Sequence, residues 1–163
     1  MTIDMLHGIS PFDIKMNSLP VKVKKLDEDA KLPTRGSDYA AGYDLYACIK
    51  EPVTIKPHET EKISTGLSFE LPPFTYAGIY ARSGLATKQG LRLSNCTGIC
   101  DADYRGPYIV ALHNDSEIER VVNPGDRIAQ MILSPFFPMN FIESDNLEDT
   151  ERGAGGFGST GSN

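Results

Sequence analysis

The sequence predicts an all-β domain that carries one short helix. Three observations point there. Apolar residues alternate with polar ones over short stretches. Clusters of Gly, Pro, Asn and Asp separate those stretches at intervals of roughly 8–12 residues, the signature of a sandwich or barrel. Helical periodicity is nearly absent. A chain of 163 residues is long enough for one domain with a real core.

Taken in order, residues 1–19 have no clean period and read as an N-terminal extension. Residues 20–143 carry the β pattern. Val21 and Val23 alternate with lysines, and Val53 and Ile55 follow a Glu-Pro break. Ile63, Leu67, Phe69 and Leu71 lie on one longer stretch that ends at Pro72-Pro73. The single helix candidate runs from Ser83 to Gln89, with Ser83 placed to cap it and Gly90 to end it. Strand-like runs then follow at Tyr108–His113, Ile118–Val122, Arg127–Leu133 and Phe136–Ile142. Residues 144–163 turn acidic and then glycine-rich, and can add little to a core.

Charge narrows the function. Sixteen Lys and Arg stand against 22 Asp and Glu, for a formal charge of −6. That balance argues against a nucleic-acid or anionic-membrane binder, which needs a basic face, but leaves room for a small anion held by a few cations. The longest uncharged run, Ile128 to Ile142, holds Pro135 and Pro138 and falls short of a membrane span. The N-terminus has no basic segment followed by an apolar one, so no secretory signal is expected and the expected location is cytoplasmic. Cys48, Cys96 and Cys100 are an odd, sparse set that suits a reducing interior. Cys96 and Cys100 lack the two further soft partners a zinc site needs. With no secretion expected, the sequons at Asn95 and Asn114 read as accidental.

Three stretches have the residue types of a site. Residues 152 to 161 pack five of the chain's 15 glycines beside Arg152, Phe157, Ser159 and Thr160. Freely turning backbone N–H groups with hydroxyls and a cation form an anion nest, and Phe157 suits stacking on a base; the alternative is a disordered glycine tail. Gly153, Gly155 and Gly158 fit G-x-G-x-x-G, yet too little chain follows for a dinucleotide fold, and no P-loop pattern exists. Gly98 to Gly106, preceded by Asn95, holds Asp101, Asp103, Tyr104 and Arg105 between glycines. It reads either as a site-forming hairpin, with Asp101 as general base, or as a turn whose Asp serves the backbone and whose Tyr caps the core. Arg82-Ser83-Gly84 reads as an anion site or as plain helix capping.

Ala41 to Ala47, Arg82-Ser83-Gly84, Gly98 to Gly106, Gly125 to Gln130 and Arg152 to Gly161 resemble, in order, the five motifs of the homotrimeric deoxyuridine triphosphatases, or dUTPases. The resemblance covers about residues 20 to 161. It implies a distorted jelly-roll or β-barrel subunit with a flexible glycine-rich C-terminal arm, residues 144–163, that closes over an active site. It implies a homotrimer whose sites are shared between subunits. The implied reaction converts dUTP and water to dUMP and pyrophosphate with Mg²⁺, which controls dUTP and supplies dUMP for thymidylate synthesis. By the same resemblance Asp101 activates water, and Tyr104 lies under the deoxyribose. Asn95, Gly98, Ile99, Cys100 and Ile109 line the uracil and sugar pocket, and Phe157 stacks on the base. Arg82, Ser83, Gly84, Gln130, Arg152, Gly158 and Ser159 match phosphate-binding positions. Mg²⁺ is implied to ride on the phosphates and water rather than on protein ligands. Asp44 matches an acidic position that orients metal-bound water or Arg82, or serves only the backbone.

Two departures are conservative: Ala81 stands where the family usually has Pro, and Cys100 replaces an aliphatic residue. Competing functions are a dCTP deaminase-like enzyme and a non-catalytic nucleotide-binding module. The Asp101–Gly106 hairpin joined to the full Arg152–Gly161 arm favours hydrolysis over both.

Overall fold

The computed structural model describes residues 18–156. The expected N-terminal extension up to residue 17, and Phe157, Gly158 and Ser159 of the arm, lie outside the described residues. Twelve strands and one helix are formed: β1 (Lys22–Lys25), β2 (Thr34–Arg35), β3 (Tyr43–Tyr46), β4 (Val53–Ile55), β5 (Thr60–Ser64), β6 (Leu67–Glu70), β7 (Thr75–Tyr80), α1 (Ser83–Gln89), β8 (Leu91–Leu93), β9 (Gly98–Asp101), β10 (Ile109–Asn114), β11 (Arg120–Val122) and β12 (Arg127–Pro135). The nearly all-β expectation with one short helix therefore holds. The strands form four antiparallel sheets, of orders β1-β6, β5-β10-β8, β11-β4 and β2-β3-β12-β7-β9, and not one closed barrel.

Leu45, Ile55, Ile63, Leu67, Phe69, Leu91, Leu112 and Ile128 are fully buried and come from every sheet, so one shared core holds the sheets together. Asn114 closes the β4–β10 corner by donating from Nδ2 to the carbonyls of Ile55 and Ile118. A residue so enclosed cannot serve as a glycosylation acceptor. All three cysteines are free. No helix among the described residues is long and apolar enough to cross a membrane.

Three expectations change. The stretch from Ile63 to Leu71 is two strands, because Gly66 turns the chain at φ +67°, where Cys48 and Ala30 leave no room for a Cβ. Ser83 does not cap α1. Arg82 occupies the N-cap without a side-chain hydrogen bond, and Ser83 is the first helical residue. Gly90 does end the helix in the left-handed region, donating to Ala86 and Leu85 carbonyls. Phe136–Ile142 forms no strand. β12 stops at Pro135, and among the described residues no strand edge receives the segment beyond it, so Phe137, Phe141 and Ile142 are 82–89% exposed.

Candidate active site

The five-stranded sheet positions most of the sequence-derived residues. Its central pairing sets Gln130 of β12 between Asp44 of β3 and Tyr80 of β7. A bulge in β12 makes this corner. Arg127 pairs with Tyr46 and Ala129 with Leu45, so Ile128 is the extra residue. Residues three apart on a regular strand face opposite sides; the bulge puts Arg127 and Gln130 on the same face as Asp44.

The chain leaves β7 directly into Arg82, and the Arg82 side chain turns back toward β3. Its Nε donates to Asp44 Oδ1 at 2.8 Å, while Arg127 Nη1 donates to Asp44 Oδ2 at 3.2 Å. The Asp44 side chain is only 14% exposed, so its charge is held by two guanidinium groups and little water. Gln130 Nε2 donates to the Ala81 carbonyl at 2.9 Å. Gly42 makes room for that amide, since a Cβ there would stand 2.5 Å from Gln130 Oε1. These groups, with Ser83, Gly84 and Ile132, line a cleft of about 600 Å³. Space beside Gly84 is open, so backbone can approach a ligand there. The net cationic corner suits an anion. Arg127 was not singled out from the sequence, because an unbulged strand would have turned it away.

The second group of residues sits on edge strand β9 and the turn after it. Gly98 pairs with Ile79 and Asp101 with Tyr76. Cys100, opposite the fully buried Ala77, faces inward, and Ile99 and Asp101 face outward. Asn95 lies in the exposed turn before β9, with its amide beside Gly98. The Tyr104 N–H donates to the Asp101 carbonyl at 3.2 Å, closing a turn that presents the Asp101 carboxylate to solvent. Tyr104 is pinned by a hydrogen bond from its hydroxyl to the Pro107 carbonyl at 3.1 Å. Gly106 leaves room for this pose, because a Cβ there would push the Tyr104 ring and hydroxyl aside. Tyr104 also leans on Tyr108, ring centroids 6.0 Å apart, and Tyr108 leans on Phe69 at 4.5 Å. The Tyr108 hydroxyl is buried with no hydrogen-bond partner among the described residues. The Cys100 thiol is near enough to interact with it, but the geometry of a hydrogen bond is not met. Burial pushes both the Tyr108 phenol and the Cys100 thiol above their ordinary pKa values. Ile109 begins β10 just past this turn and is half exposed.

The two groups share a face of the sheet but are not adjacent. Four residues along β7 and two ladders across it separate Asp101 from Gln130, roughly 13 Å in one direction and about 9.5 Å in the other. Arg152 is a third, separate place. It lies on an exposed turn, where its Nε donates to the Gly155 carbonyl at 2.8 Å.

Divalent metal chemistry has no protein cage here. No cluster of three or more His, Cys, Asp or Glu suited to a metal occurs among the described residues, and both Asp44 oxygens already accept from arginines. Only an oxygen-rich ligand with water could complete a Mg²⁺ shell at this cleft.

Comparisons with known proteins agree on one family. The dUTPase family model matches residues 28–161. A Desulfitobacterium hafniense protein named deoxyuridine 5'-triphosphate nucleotidohydrolase is 47% identical over 152 residues, covering 90% of this chain and 99% of its own. A Yarrowia lipolytica protein of the same name is 50% identical over 147 residues, covering 89% and 91%. Among solved structures, a variant of the Staphylococcus bacteriophage 80alpha dUTPase with dUpNHpp superposes at a TM-score of 0.77. It is 25% identical and covers 89% of this chain and all of that one.

Proposed function

The chain belongs to the dUTPase family, and from that premise we infer that it is a dUTP diphosphatase whose sites are completed between copies of the chain. The observation that carries the reading is the cleft. Arg82, Ser83, Gly84 and Gln130 stem from separate motifs of the sequence and converge on one cationic corner suited to phosphates.

The reaction adds water across the anhydride between the first and second phosphates, giving dUMP and pyrophosphate. Such a reaction needs an aligned water and offset charge more than covalent help from protein. Asp101 is the group to align that water and accept its proton, being an exposed carboxylate held by a closed turn. Arg82, through the nitrogens that Asp44 leaves free, and Arg152 oppose the charge of the phosphates. Mg²⁺, bound through substrate phosphates and water, would supply further charge neutralisation there. Tyr104 provides a fixed wall under the deoxyribose. Asn95, Gly98, Ile99, Cys100 and Ile109 surround the uracil, and Phe157, Gly158 and Ser159 complete the closing arm.

The distance between the two groups supports sharing between copies. Asp101 and the Arg82 cleft of the same chain lie on well-separated parts of the sheet, which supports placing them at different sites. A second copy would then bring its cleft to this Asp101, and a cyclic trimer does so with one repeated contact. The exposed apolar residues after Pro135, above all Phe137, Phe141 and Ile142, give such an assembly something to bury.

The test is pyrophosphate release from dUTP, dTTP, dCTP and UTP, each with Mg²⁺. Release from dUTP alone is expected. Ammonia from dCTP would assign the deaminase reaction, and tight dUTP binding without turnover would assign a binding module.

A further inference from the structure

We propose that Arg127 is a positioning residue for the phosphate-binding Arg82, acting through Asp44. The proposal rests on reading the cleft as the triphosphate site.

The geometry is a three-part chain on one face of the sheet. Asp44 has two oxygens and two cationic neighbours, one for each oxygen. Arg82 uses only Nε on Asp44; among the described residues neither of its terminal Nη groups is hydrogen-bonded. That leaves the guanidinium fork to face an anion. A carboxylate beside an arginine otherwise prefers to take two N–H groups side by side. Arg127 draws Oδ2 to its own side, so that the carboxylate meets Arg82 through Oδ1 alone. The adjacent carboxylate does not compete for Arg127, since Asp126 Oδ2 accepts from the Asn123 backbone at 2.8 Å. Arg127 also stands where the 600 Å³ cleft meets a second cavity of about 340 Å³, so its far side is open to water and not packed.

Removing the Arg127 charge therefore has a specific consequence. Asp44 is then free to turn and take one Nη of Arg82 as well as Nε, which removes part of the fork that would hold phosphate. The β12 bulge exists at the one place that brings Arg127 to Asp44, which ties this device to the fold.

The experiment is a double-mutant cycle on the full chain with Asp44→Asn and Arg127→Gln. It reads KM and kcat for dUTP, pyrophosphate affinity by calorimetry, and melting temperature. Arg127→Gln is expected to weaken pyrophosphate binding and raise KM about tenfold, the scale of one charge-assisted hydrogen bond. In the Asp44→Asn background the same change should cost less than about twofold, because no carboxylate remains to capture Arg82. Arg127→Lys, which keeps the charge, should recover most of the loss. Equal penalties in both backgrounds would make Arg127 an independent phosphate contact and overturn the proposal. A lower melting temperature without a change in pyrophosphate affinity would also overturn it. If Arg127→Gln does not fold, the cycle is run with Arg127→Met, which keeps the apolar stem without the charge, and its penalty must again vanish beside Asp44→Asn. A wild-type chain that releases no pyrophosphate from dUTP would fail the enzymatic reading instead, while calorimetry would still judge Arg127.

Discussion

Asp101 and Gln130 flank β7 from opposite sides, Asp101 paired through β9 with Tyr76 and Gln130 through β12 with Tyr80. They face the same way yet stand roughly 13 Å apart along the strands and about 9.5 Å across them. That separation supports the proposal that the water-activating carboxylate and the phosphate cleft of one copy serve different sites.

Tyr104 owes its pose to Pro107, Gly106 and Tyr108, which leave it little freedom. Tyr104→Ala should remove the wall under the sugar and make room for a ribose 2′-hydroxyl. UTP should gain on dUTP in kcat/KM, by roughly tenfold or more if the wall is the main discriminator. An unchanged ratio, measured with both nucleotides, would reduce Tyr104 to a cap on the core.

Tyr108 buries a hydroxyl that no described residue satisfies. Such a group costs about 1–3 kcal/mol relative to a satisfied one. Tyr108→Phe keeps the ring contacts with Phe69 and Tyr104 and removes the orphan. The melting temperature should rise by about 2–4 °C, the scale of 1 kcal/mol in a domain of this size. A fall in melting temperature would mean the hydroxyl has a partner after all.

Asp115 accepts two hydrogen bonds from Arg92, Nε to Oδ2 at 2.6 Å and Nη2 to Oδ1 at 3.0 Å. Arg92 holds its carboxyl below the ordinary carboxylate range. A lowered folded-state value stabilises the fold above the unfolded pKa near 4 and is lost as pH falls through the folded value. Melting curves between pH 7 and pH 2 should therefore drop more steeply for the wild type than for Asp115→Asn below about pH 4. Parallel curves would show that the pair contributes nothing.

Much of this was legible in the sequence, for physical reasons that can be named. Gly90 marked the helix end because only glycine adopts its φ of +69° without strain. The period-2 stretches located β4, β10 and β12, whose alternate side chains pack into one core. Gly66 was equally visible, but a turn glycine between two apolar runs looks like a strand residue until Cys48 and Ala30 are seen pressed against it. Phe136–Ile142 has strand composition without a partner strand among the described residues, and a strand needs both. Arg127 was missed because strand periodicity assigns it the face opposite Gln130, and the bulge that reverses this leaves no mark in composition. The distance between Asp101 and the cleft was equally invisible, since it depends on which strands pair with β7.

The most direct test of shared sites mixes two defective chains. One carries Asp101→Asn with an intact cleft, and the other carries Arg82→Gln with Asp101 intact. Each alone should have every site impaired, with Asp101→Asn lowering turnover by on the order of 10²–10⁴. The two are unfolded together, refolded as an equal mixture, confirmed by mass as mixed assemblies, and assayed for pyrophosphate release from dUTP. If each site takes Asp101 from one copy and Arg82 from the next around a cyclic trimer, about a quarter of wild-type sites should return. Mixed assemblies with no activity above separately refolded controls would contradict the account and place both residues in a site within one chain.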